Sequence, residues 1–393
     1  MQKNLASNIW KYFLYNVSLR RHFIPLLSIY FLTLPNTTAQ QIGLFTGIGW
    51  IFSFLLEIPS GYISDKFGHK NTLILAKFFM LVSITCFILA NSLIWFIFGA
   101  IFLSAGFAFH SGTASAFIHN TLVGLKREKD YTKVMGRLAA NAALISMVLI
   151  IALPFFTTID ILLPFKINFV IDVIGLIIAF TLVSPNQKFE AEVDEPEDFW
   201  KLIKKHIGTG FFSTALYFGT IAGILVASTV YRDIYVVSLG YPIFLVGFVM
   251  GISRLFWFIF GHLAHIIEKK VSFQKLMVFE LLMFPVFFIL ITVIQNAYVV
   301  GFLFSIVIGY FWGRHSIIDH YFIKNLILNK NYKATMISVY GQIKLIYKFV
   351  TVFILGIIMG YSFQLGFLFC GISMLVILVA LLPAVIKQKV FAK

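Results

Sequence analysis

Arg20, Arg254, Arg314, Lys344 and Lys348 interrupt apolar stretches long enough to cross a bilayer. An ionisable group there costs several kcal/mol unless it finds a partner or lines water. Arg20, Arg254 and Lys344 lie about ten to fourteen residues into their stretches, near mid-membrane at roughly 1.5 Å per residue. Tyr340, Lys344 and Lys348 are spaced i, i+4, i+8, so a helix places all three on one face. Arginine's planar fork suits carboxylate and phosphate, and lysine acts as a mobile point charge. Together these six side chains are the candidates for holding a small anionic substrate. Arg20 and Arg21 differ by about 100° around a helix; we expect Arg20 to face a cavity and Arg21 to pack elsewhere. The alternative is that the bases act as struts, paired with Glu57, Asp319 and backbone carbonyls. Glu57, His110 and Asp319 are the candidates for proton coupling. His262 and His265, at i and i+3, lack the cysteine or carboxylate company of a metal site. With no Ser–His–Asp set, paired carboxylates or phosphate-binding Gly-x-x-x-x-Gly-Lys-(Ser/Thr) loop, the residues point away from an enzyme and imply no cofactor.

The elements that must position these groups are helices in a membrane. The 393 residues are 60% hydrophobic and 12% charged, against about 25% charged in soluble domains. That composition excludes a disordered chain, a nucleic-acid-binding domain and, with two Cys, a disulfide scaffold. Apolar runs predict twelve spans, near 11–34, 40–59, 71–91, 94–121, 133–155, 162–184, 208–231, 241–266, 272–294, 297–320, 333–358 and 363–386. Of the 31 Lys and Arg, 22 lie at the termini and in alternate loops, which puts both termini in the cytoplasm by the positive-inside rule. Arg232 is expected in an outer loop beside Asp233. The chain divides into a bundle over 1–184, a linker over 185–206 and a bundle over 207–393. The linker carries six acids between Glu190 and Asp198, then Trp200 with Lys201, Lys204 and Lys205. The latter read as a short amphipathic segment on the inner leaflet. The fold expected is an all-α integral membrane protein, twelve transmembrane helices in two pseudo-symmetric six-helix bundles.

Between the second and third spans the chain reads Glu57-Ile-Pro-Ser-Gly61-Tyr-Ile-Ser-Asp65-Lys66-Phe-Gly68-His69-Lys70. This resembles the signature loop of the major facilitator superfamily in bacterial twelve-span members, matching at Gly61, Asp65, Lys66, Gly68 and Lys70. His69 stands where a basic residue is usual. The equivalent stretch of the second half, Gly261 to His265, lacks the aspartate and the second glycine. The resemblance implies a conformational latch at those five positions. It also implies that spans three, six, nine and twelve are peripheral, so Lys77, Lys166, Asp172 and Glu280 sit on supporting helices, where we expect structural pairing or snorkelling. Arg20, Arg21, Arg254, Arg314, Lys344 and Lys348 then fall on helices around a central cavity. Two acids, Glu57 and Asp319, cannot neutralise six bases in a dry site, so water or an anion must.

The resulting expectation is a secondary active transporter in the cytoplasmic (inner) membrane, working by alternating access as a monomer. Its partners are the lipid bilayer and a small organic anion, of phosphate ester or polycarboxylate type, moved by proton coupling or exchange, with no nucleic acid and no metal. The alternative is a drug or metabolite exporter of the same superfamily. A cationic-drug exporter would carry acids where this chain carries Arg and Lys.

Overall fold

The computed structural model describes residues 2–185, 210–327 and 333–386. All but the first residue of the expected 185–206 linker, and with it the amphipathic segment, lies outside the described residues. The helices are α1 (Gln2–Leu19), α2 (Ile24–Phe31), α3 (Ala39–Phe67), α4 (His69–Ile88), α5 (Leu93–Gly124), α6 (Tyr131–Ala152) and α7 (Leu163–Thr181). They continue with α8 (Phe211–Ser238), α9 (Val246–Lys270), α10 (Phe273–Val293), α11 (Ala297–Gly313), α12 (His315–Tyr321), α13 (Lys333–Met359) and α14 (Phe363–Ile386). No strand occurs among the described residues. Eleven helical stretches among them are long and apolar enough to cross a membrane, and each matches a predicted span.

The first predicted span is the exception. The segment expected over 11–34 is two helices, α1 and α2, broken over Arg20 to Phe23. Pro25 opens α2; it cannot donate the backbone bond that would continue α1. Carbonyls released at the break need donors in a membrane, and basic side chains supply them. Arg21 Nη2 donates to Ser18 O at 2.6 Å, Arg21 Nε to Leu19 O at 3.0 Å and Lys77 Nζ to Ser18 O at 2.7 Å. A second break falls at Arg314, between α11 and α12, and α12 runs into a π-helical turn over Phe322–Leu326. Such turns inside helices recur at functional sites.

The chain forms two units, Met1–Glu190 with Pro242–Gly251, and Ala191–Tyr241 with Ile252–Lys393. In the first unit, Phe31 packs edge-on to Phe45 and Phe96 at 5.2 and 4.7 Å, and Tyr30 and Phe23 both contact Phe165. Asn8 joins α1 to α5 through Thr121, and pairs with the backbone of Val183 just beyond α7. Helices α1, α4 and α7 meet so closely at Gly175 that a Cβ there would overlap Ser18 and Lys77. In the second unit, Phe287, Phe304, Phe288 and Phe367 interlock beside Tyr235.

Arg232 is not in a loop as expected. It lies inside α8, buried, and its Nε and Nη2 donate to the two carboxylate oxygens of Asp233 at 2.8 and 2.7 Å. Two adjacent opposite charges satisfy one another, so the pair can enter the helix together.

A basic cavity in the second unit

The break at Arg314 and the stripe on α13 meet at one cavity of about 180 Å³. Tyr340, Gly341, Lys344, Leu345 and Lys348 line it from α13, and Phe218, Ala222 and Val226 from α8. Phe311, Trp312, Arg314 and His315 complete the wall. The expected i, i+4, i+8 face is therefore one wall of a real concavity. Three basic residues and a histidine line it, and no acid is among the lining residues. The ring of Tyr340 stacks on Phe322 of the π-helical turn at 4.4 Å. Lys344 Nζ stands 4.2 Å above that same ring, a cation–π contact that steadies the ammonium without cancelling its charge.

Arg314 is 3% exposed. Its Nε lies 2.7 Å from Glu280 Oε1, and the hydroxyl of Tyr310 donates to the same oxygen at 2.8 Å. Phe218, Phe284 and Phe311 surround the guanidinium, their centroids 5.6, 5.7 and 5.1 Å away. Under the strut alternative, Arg314 would pair with Glu57, Asp319 or a backbone carbonyl. The structure gives it Glu280 on α10, because both are dry and only a mutual pair keeps both charges tolerable. Arg314 Nη2 and Glu280 Oε2 have no hydrogen-bond partner among the described residues.

The other expected site residues fall elsewhere. Arg254, on α9, is half-buried and does not line this cavity. Asp319 lies on α12, 3.4 Å from His315 Nε2 and outside the lining. Glu57 is exposed and sits ten residues before the end of α3, rather than at a helix end, because α3 outruns the predicted span by two turns. His110 packs its ring 5.9 Å from that of Tyr15, and its Nδ1 is buried with no hydrogen-bond partner among the described residues.

Arg20 and Arg21 lie in the break between α1 and α2, not on a helix, so the 100° offset does not apply to them, and their surroundings differ. Arg21, 5% exposed, is drawn to Asp172 of α7: Nη1 reaches Oδ2 at 2.7 Å and Nη2 reaches Oδ1 at 2.6 Å. Lys77 of α4 donates to Asp172 Oδ1 at 2.5 Å, and Asn168 to Oδ2 at 3.1 Å. Lys77 and Asp172 are wholly buried, a structural pair as expected. Arg20 remains half-buried, with its Nε lacking a hydrogen-bond partner among the described residues. Lys166 instead pairs at an exposed site with Asp160, at 2.7 Å.

In the signature loop, Gly68 has φ of +87° and separates α3 from α4, the sharp turn its residue type allows. Gly61 lies within α3 with open space around it, so no close approach requires it in this conformation. Asp65 does not cap α4, whose first residues lack any side-chain cap. Lys66 lies over the rings of Tyr62 and Phe67 at 5.7 and 5.8 Å. Lys70 is half-buried in the first turn of α4. His69, the departure from the usual pattern, has a role of its own. Its Nδ1 is 2.8 Å from Ser64 Oγ, which accepts from Thr113 Oγ1 of α5 at 2.9 Å. Sequence reasoning missed this tie, and it missed Phe218, Trp312 and His315 as cavity residues; nothing local marks them.

Comparison with known proteins sets this architecture in a family. The nucleoside transporter NupG superposes with a TM-score of 0.77 at 14% identity, covering 98% of this chain and 100% of that one. A D-xylose-proton symporter superposes with a TM-score of 0.69 at 12% identity, covering 98% of both. At such identity these likenesses speak for the fold alone. In sequence, an uncharacterized transporter of Buchnera aphidicola subsp. Baizongia pistaciae is 31% identical over 121 residues. That match spans 30% of this chain and 28% of the relative, so the chain covers less than a third of that relative's length. The profile of the Major Facilitator Superfamily matches residues 13–346. A match over most of the chain shows that this protein belongs to the Major Facilitator Superfamily.

Proposed function

We propose that the protein moves a small organic anion, a phosphate ester or polycarboxylate, across the cytoplasmic membrane by alternating access, driven by proton coupling or exchange. The observation that carries this is the cavity of the second unit, where Arg314, Lys344, Lys348, His315 and Tyr340 converge without an acid in the lining. A cation bound there would meet like charges in a low-dielectric wall, whereas an anion relieves them. This weighs against a cationic-drug exporter. Arginine and lysine at one concavity offer both a planar fork and mobile donors to carboxylate or phosphate oxygens. The basic loops favour cytoplasmic termini, and we take the two-bundle protein to act as a monomer. The test is uptake into proteoliposomes of a panel of labelled anions and cations, with and without a pH gradient. Anions are expected to accumulate, and Lys344→Ala to lower their uptake at least tenfold. Selective accumulation of cations would sink the proposal.

A further inference from the structure

We propose that Glu280 is the proton carrier of transport, taking up a proton when the anion claims the guanidinium of Arg314. The inference rests on the anion reading above and adds the coupling group, in place of Glu57, His110 and Asp319. Three carboxylates are buried among the described residues, those of Asp172, Asp233 and Glu280. Asp172 and Asp233 accept hydrogen bonds on both oxygens. Glu280 does not. Its Oε1 accepts from the hydroxyl of Tyr310 at 2.8 Å, and its Oε2 has no hydrogen-bond partner among the described residues. Arg314 Nε stands 2.7 Å from Oε1 without the alignment of a hydrogen bond, and Arg314 Nη2 is likewise unbonded among the described residues. The two charges offset one another, yet each side chain keeps a polar atom open.

Position makes the two openings complementary. Arg314 borders the cavity, whereas Glu280 is not among its lining residues. An anion in the cavity therefore meets Arg314 and not Glu280. One guanidinium then faces two anions, and the carboxylate behind it loses part of the attraction that makes its burial tolerable. A buried carboxyl so placed is neutralised by a proton. No other charge among the described residues is placed to substitute for Arg314. The remaining ionisable groups around Glu280 are phenols: Tyr310, Tyr217 of α8, whose hydroxyl donates to Met277 O at 2.9 Å, and Tyr340 of α13. Helix α14, packed along α10, carries no charge and one buried thiol, Cys370. The proton comes from water on the side where the anion enters and binds Oε2. It leaves to water on the other side as the anion departs and Arg314 returns to Glu280. Oε1, still held by Tyr310, is meanwhile the carbonyl oxygen of the acid. By linkage, a proton on Glu280 tightens the anion by the same factor as the anion tightens the proton.

The experiment records infrared difference spectra on anion binding to the purified full-length protein in lipid nanodiscs at neutral pH. The probes are ethyl phosphate, which has no carboxyl, and succinate labelled with carbon-13 at both carboxyls, whose own bands are displaced. A carboxylic-acid C=O band is expected to appear with whichever anion binds. Glu280→Gln should abolish that band. In proteoliposomes it should also lower pH-driven accumulation at least tenfold relative to its own anion exchange. Tyr310→Phe leaves both charges in place and serves even if Glu280→Gln does not fold. It should move the band to higher frequency, because the carbonyl of the acid loses its hydrogen-bond donor. The proton assignment is overturned, and the anion reading left intact, by any of three results. These are no band in the folded wild type with anion bound, a band that survives in Glu280→Gln, and a band unmoved in Tyr310→Phe. Binding of organic cations in place of both anions overturns both.

Discussion

Each unit buries a carboxylate beside cations, and the two clusters differ in how completely they are closed. Around Asp172 in the first unit, both carboxylate oxygens accept hydrogen bonds, from Arg21, Lys77 and Asn168. The bases spend further donors on carbonyls opened by the break between α1 and α2. Around Glu280 in the second unit, Oε2 and Arg314 Nη2 have no hydrogen-bond partner among the described residues, and Arg314 borders a cavity. Charge and depth are the same kind of signal in both. What separates a strut from a site is whether the hydrogen-bonding capacity is used up within the protein.

The largest effect should come from breaking the closed cluster. Asp172→Asn leaves two cations in a wholly buried position, and removing one partner of a buried ion pair costs about 3–5 kcal/mol. Thermal unfolding of the purified protein should show a marked loss of folded material, whatever ligand is present. Glu280→Gln should cost less, about 1–3 kcal/mol, because Arg314 keeps its aromatic surround and a border on the cavity. A loss equal to that of Asp172→Asn would show that the two clusters do the same work. Tyr340→Phe keeps the ring over which Lys344 sits, so transport should fall less than threefold, whereas Tyr340→Ala should approach the effect of Lys344→Ala. Initial uptake rates separate these cases.

The smallest effect lies at the exposed pair. The hydrogen bond from Lys166, then that from the Leu162 backbone N–H, holds the Asp160 carboxyl below the usual carboxylate range. A depressed folded-state value contributes stability above the ordinary aspartate pKa, and that contribution is lost as pH falls through the lower folded value. Asp160→Asn should thus change the melting temperature slightly at neutral pH, within about 0.5 kcal/mol. The difference from wild type should vanish in acid.

Much of this was legible in the sequence. Eleven spans could be placed because apolar length alone demands them, and the face shared by Tyr340, Lys344 and Lys348 followed from helical period. The break in the first span was not placed, although Arg20, Arg21, His22 and Pro25 mark it; the apolar residues on either side outweigh them when only length is read. Nor could Glu280 be matched to Arg314, since helices α10 and α11 bring together residues 34 apart in the chain. Arg232 was misplaced because a charge in an apolar run suggests a loop, and only structure shows Asp233 neutralising it.

The central claim is that the α13 lysines bind the transported anion. The direct measurement is uptake of labelled succinate and labelled ethyl phosphate by proteoliposomes containing wild type, Lys344→Ala or Lys348→Ala, each confirmed as folded by its melting curve. The account predicts accumulation of at least one of these anions by the wild type and a fall of tenfold or more in both variants. Uptake by the folded variants at the wild-type rate would contradict it.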